Sequence, residues 1–220
     1  ATFGEGCYFA GYDVALPTEY AYKSKSEGGI WEEGDLRRDE SIRYDFTYLG
    51  ITPTEVSWGA DELDPHIKKY EDERTDQFNG NLANEWYSGK NFIVLRYADV
   101  LLCYAECLNE LGETGEANTV VNQVRARAWG GTLPNEMAWN YGQNEFRVQI
   151  MDERIRELCF EGWRRMDLIR TGKFVELIKE RNPWAKKSGT IKEFHMRWPI
   201  PDTEIKNNSD ISEEDQNPGY

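Results

Sequence analysis

Residues 92–128 read FIVLRYADVLLCYAECLNELGETGEANTVVNQVRARA, which is the pattern of two amphipathic helices folded back on each other. Val94, Tyr97, Leu101, Ala105 and Leu108 recur at three- and four-residue steps, so one helical face is apolar and requires a partner surface. The partner follows in sequence. After Gly112 and Gly115, the residues Ala117, Val120, Val121, Val124 and Ala128 repeat the pattern, and so short a connection forces an antiparallel return. Ala105 and Ala117 are small enough to let the two axes approach closely. A helical hairpin of roughly 34 residues with this alternation is the unit of tetratricopeptide-type repeats. Such a unit cannot bury its apolar face alone and must stack on something else.

Outward from the hairpin, the C-terminal side continues helical. In NEFRVQIMDERIRELCFEGWRRMDLIRTGK (144–173), Met151, Ile155, Leu158, Cys159 and Gly162 line one side while Arg and Glu fill the other, and Gly172 supplies the stop. A shorter helix covers Phe174 to Arg181 until Asn182 and Pro183 end it. The last 24 residues, RWPIPDTEIKNNSDISEEDQNPGY, read as extended, because Pro199 and Pro201 fix φ and remove donors. On the N-terminal side, residues 1–91 interleave Gly, Pro, Asp and aromatics, with no helical period beyond a turn or two. The division expected is therefore a loop-rich, ligand-facing region over 1–91 and a helical region with an extended tail over 92–220, together one all-α domain.

Composition restricts the function classes. The 220 residues are 39% hydrophobic, enough to bury a core. With 26 Lys and Arg against 40 Asp and Glu, the net charge of −14 repels phosphate backbones and anionic lipid surfaces, so nucleic acid is not an expected partner. No apolar run approaches the roughly 20 residues of a membrane span, and no basic and apolar leader opens the sequence. Cys7, Cys103, Cys107 and Cys159 form no CxxC pair; the last three fall in helical apolar patterns and read as buried structural thiols. His66 and His195 are the only histidines and belong to no HExxH or HxH arrangement, so neither a histidine-based metal site nor a cofactor is expected.

Four segments carry a family resemblance. LRYADVLLCYAEC (95–107), VNQVRARA (121–128), DERIRELCFEGWRRMDLIRTGKF (152–174) and PIPDTEIKNN with QNPGY (199–208 and 216–220) resemble, in order, the C-terminal half of the SusD/RagB family. HIKKYEDE near Lys69 and GDLRRDE near Arg38 match more loosely. The resemblance implies an all-α, tetratricopeptide-containing architecture and a surface lipoprotein of the Bacteroidetes outer membrane. It also implies a non-catalytic role, capturing glycans for a SusC-like TonB-dependent transporter. The lipid anchor and earlier repeats of the family are expected outside these residues, since GEGC lacks an apolar run ahead of Cys7.

Arg96, Glu106, Arg125, Arg154, Glu157, Glu161, Arg164 and Asp167 dominate the matching motifs. At helical spacing beside an apolar stripe, they read as ion pairs and bidentate braces between helices rather than as catalytic acids. Aromatic residues are the better ligand candidates. A pyranose stacks its apolar C–H face on a flat ring, while its hydroxyls take planar donors and acceptors. Trp31, Trp58, Trp86, Tyr87, Trp129, Trp139 and Tyr141 fall in loops or at helix edges, whereas Trp163 and Trp198 lie within the structural motifs as core or brace residues. Trp31 and Trp58, followed by Trp86 and Tyr87, are the expected glycan contacts. Two other functions remain open at this stage: a helical-repeat scaffold binding a protein or peptide, and an all-α glycoside hydrolase, which nothing in the motifs favours.

Overall fold

The structure, a computed structural model, describes residues 15–44, 65–70 and 90–220. Within these the elements are α1 (Glu19–Tyr22), α2 (Arg37–Ser41), β1 (Ile42–Arg43), β2 (His66–Ile67), α3 (Tyr97–Glu110), α4 (Thr114–Ala128), α5 (Gln143–Leu158), α6 (Arg164–Arg170), α7 (Phe174–Arg181), α8 (Pro183–Ser188) and α9 (Asp202–Asn207). The chain divides into two compact units, Ala1–Arg164 and Arg165–Tyr220.

In the first unit α3 and α4 form the expected antiparallel hairpin, and α3 also packs on α5. The turn is short because α3 ends in a Schellman motif. Gly112 takes φ 88°, its N–H donates to Asn109 O, and the next N–H, of Glu113, donates to Leu108 O. Leu102, Ala105 and Leu108 meet Ala117, Val120, Val121 and Val124, with Phe146, Ile150, Leu158 and Trp139 closing the cluster. Val94 and Tyr97 lie outside it and are exposed, so the buried face of α3 is rotated from the one expected. Polar residues inside the seam cause the shift. Asp99 is buried against Arg154 at 2.9 Å, and Asn109 is buried because its side chain and the Gln143 amide exchange bonds with each other's backbone carbonyls.

Residues 129–142 are not free loop. Asn118 and Asn122, one turn apart on α4, each form a two-way bond with a backbone amide, to Tyr141 and Trp139 respectively. This pins Trp139 into the core and sets Tyr141 beside it, ring centroids 5.1 Å apart.

The helix expected from Asn144 to Gly172 is broken. It ends at Leu158; Phe160 then adopts φ 64°, uncommon for a side chain of its size, and Gly162 takes φ 86° before α6 begins. Side chains from elsewhere satisfy the freed carbonyls. Lys69 Nζ donates to Glu157 O and Cys159 O, and Arg96 Nη2 to Glu157 O. Cys159 and Phe160 thereby join a second cluster with Ile30, Trp31 and Ile42. Cys159 is buried as expected, but Cys103 and Cys107 face solvent on α3.

In the second unit Gly172 does terminate α6, with the same pair of Schellman bonds. α7 spans the residues expected, but the chain does not stop there: Asn182 Oδ1 accepts from Ala185 N and Pro183 occupies the first turn of α8. The tail is likewise not wholly extended, since α9 forms immediately after Pro201. Gln216 clamps it, its amide exchanging bonds with both backbone groups of Ile200 at 2.8 and 2.9 Å. Trp198 is a brace with one open side: Arg165 stacks at 4.5 Å, yet the residue is 72% exposed.

Candidate functional site

α5 places Phe146, Ile150, Glu153 and Glu157 on one face, and all four are buried. The first two join the hairpin core. The last two anchor an ion-pair network. Glu153 receives Arg37 Nη1 at 2.8 Å, Arg125 Nη1 at 2.9 Å and Arg156 Nη2 at 2.7 Å. Burial alone would raise its carboxyl, but the Arg37, Arg156 and Arg125 guanidiniums overcome that and hold it well below the usual carboxylate range. Glu157 accepts from Arg96 Nη1 at 2.6 Å, from Arg37 at 3.1 Å and from Arg127; here too burial raises and the Arg37, Arg96 and Arg127 cations lower, leaving it depressed. Glu161 binds Arg96 through both oxygens and also pairs with Lys69. A glycosidase needs one carboxyl held protonated near neutral pH as the acid and a second about 5 to 9.5 Å away. Glu153 and Glu157 are shifted the opposite way and saturated with guanidinium donors. The motif charges are braces.

Two clefts open on this framework. The larger, about 1050 Å³, has walls from α2, the residues after β2, the approach to α3 and the end of α4; Arg37, Lys68, Lys69, Lys90, Arg96 and Arg127 face it, against Asp39, Glu40 and Glu157. Its position follows from the β1–β2 ladder, in which Ile42 pairs with Ile67 and Arg43 with His66, carrying Lys68 and Lys69 to the α2 side. The smaller, about 400 Å³, is lined by half-buried Tyr141 together with Glu33, Glu136, Ser24 and Ser26.

The expected ligand residues fare unequally. Trp31 reaches the wall of the smaller cleft but is 1% exposed, packs with Ile30 and Ile42, and donates its indole N–H to Ala21 O at 2.6 Å. That corrects the expectation of a ring offered to solvent: a short turn held by Lys25 N to Trp31 O directs the side chain inward. Trp58, Trp86 and Tyr87 lie outside the described residues. Trp139 is core, whereas Tyr141, half-buried beside it, lines the smaller cleft. Lys68, Lys90 and Arg127 were missed: they come from three separate segments, and although Lys68 lies in HIKKYEDE and Arg127 in VNQVRARA, nothing in those motifs shows that the segments converge. Among the described residues no group of three His, Cys, Asp or Glu could hold a metal ion, and no helix is long and apolar enough to cross a membrane.

Comparison with known proteins gives a consistent set of relatives. The model of the SusD family matches residues 15–220. SusD-like protein P2 of Formosa agariphila is 31% identical over 222 residues, 97% of this chain and 41% of the relative. Starch-binding protein SusD of Bacteroides thetaiotaomicron is 28% identical over 225 residues, 94% of this chain and 37% of the relative. A crystal structure of a SusD homolog from Bacteroides thetaiotaomicron superposes with a TM-score of 0.62 at 24% identity, covering 85% of this chain and 41% of that one, which establishes the shared helical fold. The chain thus spans about two-fifths of the length of these proteins.

Proposed function

The chain belongs to the SusD family, and from that premise we propose that it contributes to a cell-surface protein that captures glycans and passes them to a SusC-like TonB-dependent transporter in the outer membrane. SusD family proteins are non-catalytic binding proteins. The observation that carries the proposal is the family match across residues 15–220, together with a starch-binding relative aligned over 94% of the chain. In this reading the helical hairpin and the ion-pair network form a rigid platform, and the segments around it grasp the ligand. Trp58, Trp86 and Tyr87 remain the proposed stacking residues. Tyr141 is added to them, since its cleft combines an aromatic ring with the carboxylates and hydroxyls that sugar hydroxyls require. Two or three stacked rings at about 1 kcal/mol each give weak, reversible capture, which suits handing a ligand on.

Calorimetry or affinity electrophoresis against a panel of polysaccharides tests this, with Trp58→Ala, Trp86→Ala and Tyr141→Ala as probes. Binding to one polysaccharide that weakens in those variants is the expected result. A protein that retains no saccharide from the panel refutes it. Attachment at the outer membrane through a lipid anchor predicts co-fractionation with that membrane and co-purification with the transporter.

One observation favours a protein contact as well. Along α3 and its C-cap, Tyr97, Val100, Tyr104 and Leu111 are exposed at steps of three, four and seven residues, an apolar stripe of the kind a second helix covers. Tyr104→Glu would weaken partner co-purification without altering glycan affinity if that face carries the contact.

A further inference from the structure

The larger cleft is locally cationic in a chain whose net charge is −14. Most of its basic groups are occupied by carboxylates: Arg37 by Asp35, Glu153 and Glu157, Arg96 by Glu157 and Glu161, and Lys69 by Glu161. Lys68 differs. Its ammonium donates to a neutral acceptor, the Asp39 carbonyl, at 2.7 Å, and it carries three protons. The nearest carboxylate in sequence to that acceptor, Asp39, is engaged by the Tyr44 hydroxyl. Arg127 stands 62% exposed, and its carboxylate partner Glu157 is shared with Arg96 and Arg37. Lys90 faces the same space, donating to Lys69 O at 2.9 Å.

The geometry points to this cleft as the seat of an anionic substituent, the carboxylate or sulfate ester of an acidic saccharide, held by Lys68 and Arg127. The inference rests on the glycan-binding reading above and sharpens it to a substrate class. An ammonium and a guanidinium on a concave wall bind such a group through charge-assisted hydrogen bonds about twice as strong as neutral ones. The wall is also fixed before binding. Lys68 N and Lys69 N both donate to Ser41 O, and Arg127 sits in the last turn of α4. The backbone needs no ordering, and the cost left for the ligand to meet is that of the side chains. A volume of about 1050 Å³ leaves room for the sugar ring that bears the charge.

The test titrates the protein calorimetrically with an oligogalacturonate, a sulfated galactan oligosaccharide, a neutral oligosaccharide of equal length and sodium sulfate. One acidic oligosaccharide should bind at least tenfold more tightly than the neutral one and than free sulfate, with affinity falling as salt rises. Lys68→Ala and Arg127→Gln should each weaken it about tenfold, and Lys68→Arg should restore most of the loss; unchanged melting temperatures establish that the variants are folded. The two acidic arms distinguish carboxylate from sulfate. Neutral and acidic ligands bound alike, with both variants silent, would overturn the inference and leave glycan capture standing. Sulfate bound as tightly as either oligosaccharide would reduce the cleft to a simple ion site. No saccharide bound at all would remove both readings.

Discussion

The two halves of α5 present the same helical face to the interior and bury opposite chemistry there. Phe146 and Ile150 enter an apolar cluster; one turn on, Glu153 and Glu157 enter a lattice of guanidiniums. The apolar half gains from leaving water, and the charged half loses by it. What keeps the charged half folded is completeness, since each carboxylate oxygen of Glu153 has an arginine partner and both faces of the helix end are tied to other segments. The network joins α2, α4 and the approach to α3 to one point, which an apolar patch of equal area does without regard to direction.

This comparison ranks the substitutions. Glu153→Ala leaves Arg37, Arg125 and Arg156 buried without their shared counter-charge and should cost about 3–5 kcal/mol in urea unfolding. A loss under 1 kcal/mol would mean that the network is dispensable. Leu102→Ala, in the apolar cluster, should cost about 3 kcal/mol through lost transfer and a residual cavity. Trp31→Ala belongs with it, lowering the melting temperature with no selective effect on glycan binding, because the ring is core.

Acid should separate the two halves further. Both Glu153 and Glu157 are depressed below the ordinary 4.5, so the folded state binds protons less readily than the unfolded chain. Their contribution is therefore complete above about pH 4.5 and is lost as pH falls toward the folded values. Urea midpoints measured from pH 6 down to pH 3 should decline in the wild type. In Glu153→Gln the decline should be shallower, while Leu102→Ala should keep the wild-type slope from a lower start. Parallel curves for all three proteins would show that these carboxylates do not drive acid unfolding.

How far the sequence disclosed all this follows the same division. Apolar periodicity located α4 to the residue face, with Ala117, Val120, Val121, Val124 and Ala128 all buried, and the four family-like motifs supplied the fold. It misplaced the face of α3, because Asp99 and Asn109 are interior and a hydropathy pattern assigns such residues to solvent. It treated the Arg and Glu of α5 as the outer side for the same reason, although their reading as braces was sound. The break after Leu158 was invisible because the groups that stabilise it, Lys69 and Arg96, come from elsewhere in the chain. The basic cleft was hidden likewise: Lys68, Lys90 and Arg127 converge only in three dimensions, whereas Trp31 carried a visible signal that proved to be packing.

The smallest effect expected is the most discriminating control. Arg147 lies on the outer side of α5 and grips Glu110 of α3 through two bonds of 2.7 Å, a geometry as good as any in the interior. Both side chains are roughly half exposed. Water already solvates each charge there, salt screens the attraction, and holding two long side chains in one rotamer offsets what remains. Replacing the pair by Gln in either or both positions should leave the urea midpoint within error, even though the same atoms at the same distances, moved to Glu153, are expected to govern whether the domain folds. Were the Glu110–Arg147 double variant to fall as far as Glu153→Ala, bond geometry and not burial would be setting the strength of these pairs, and the contrast between the inner and outer charges of α5 would collapse.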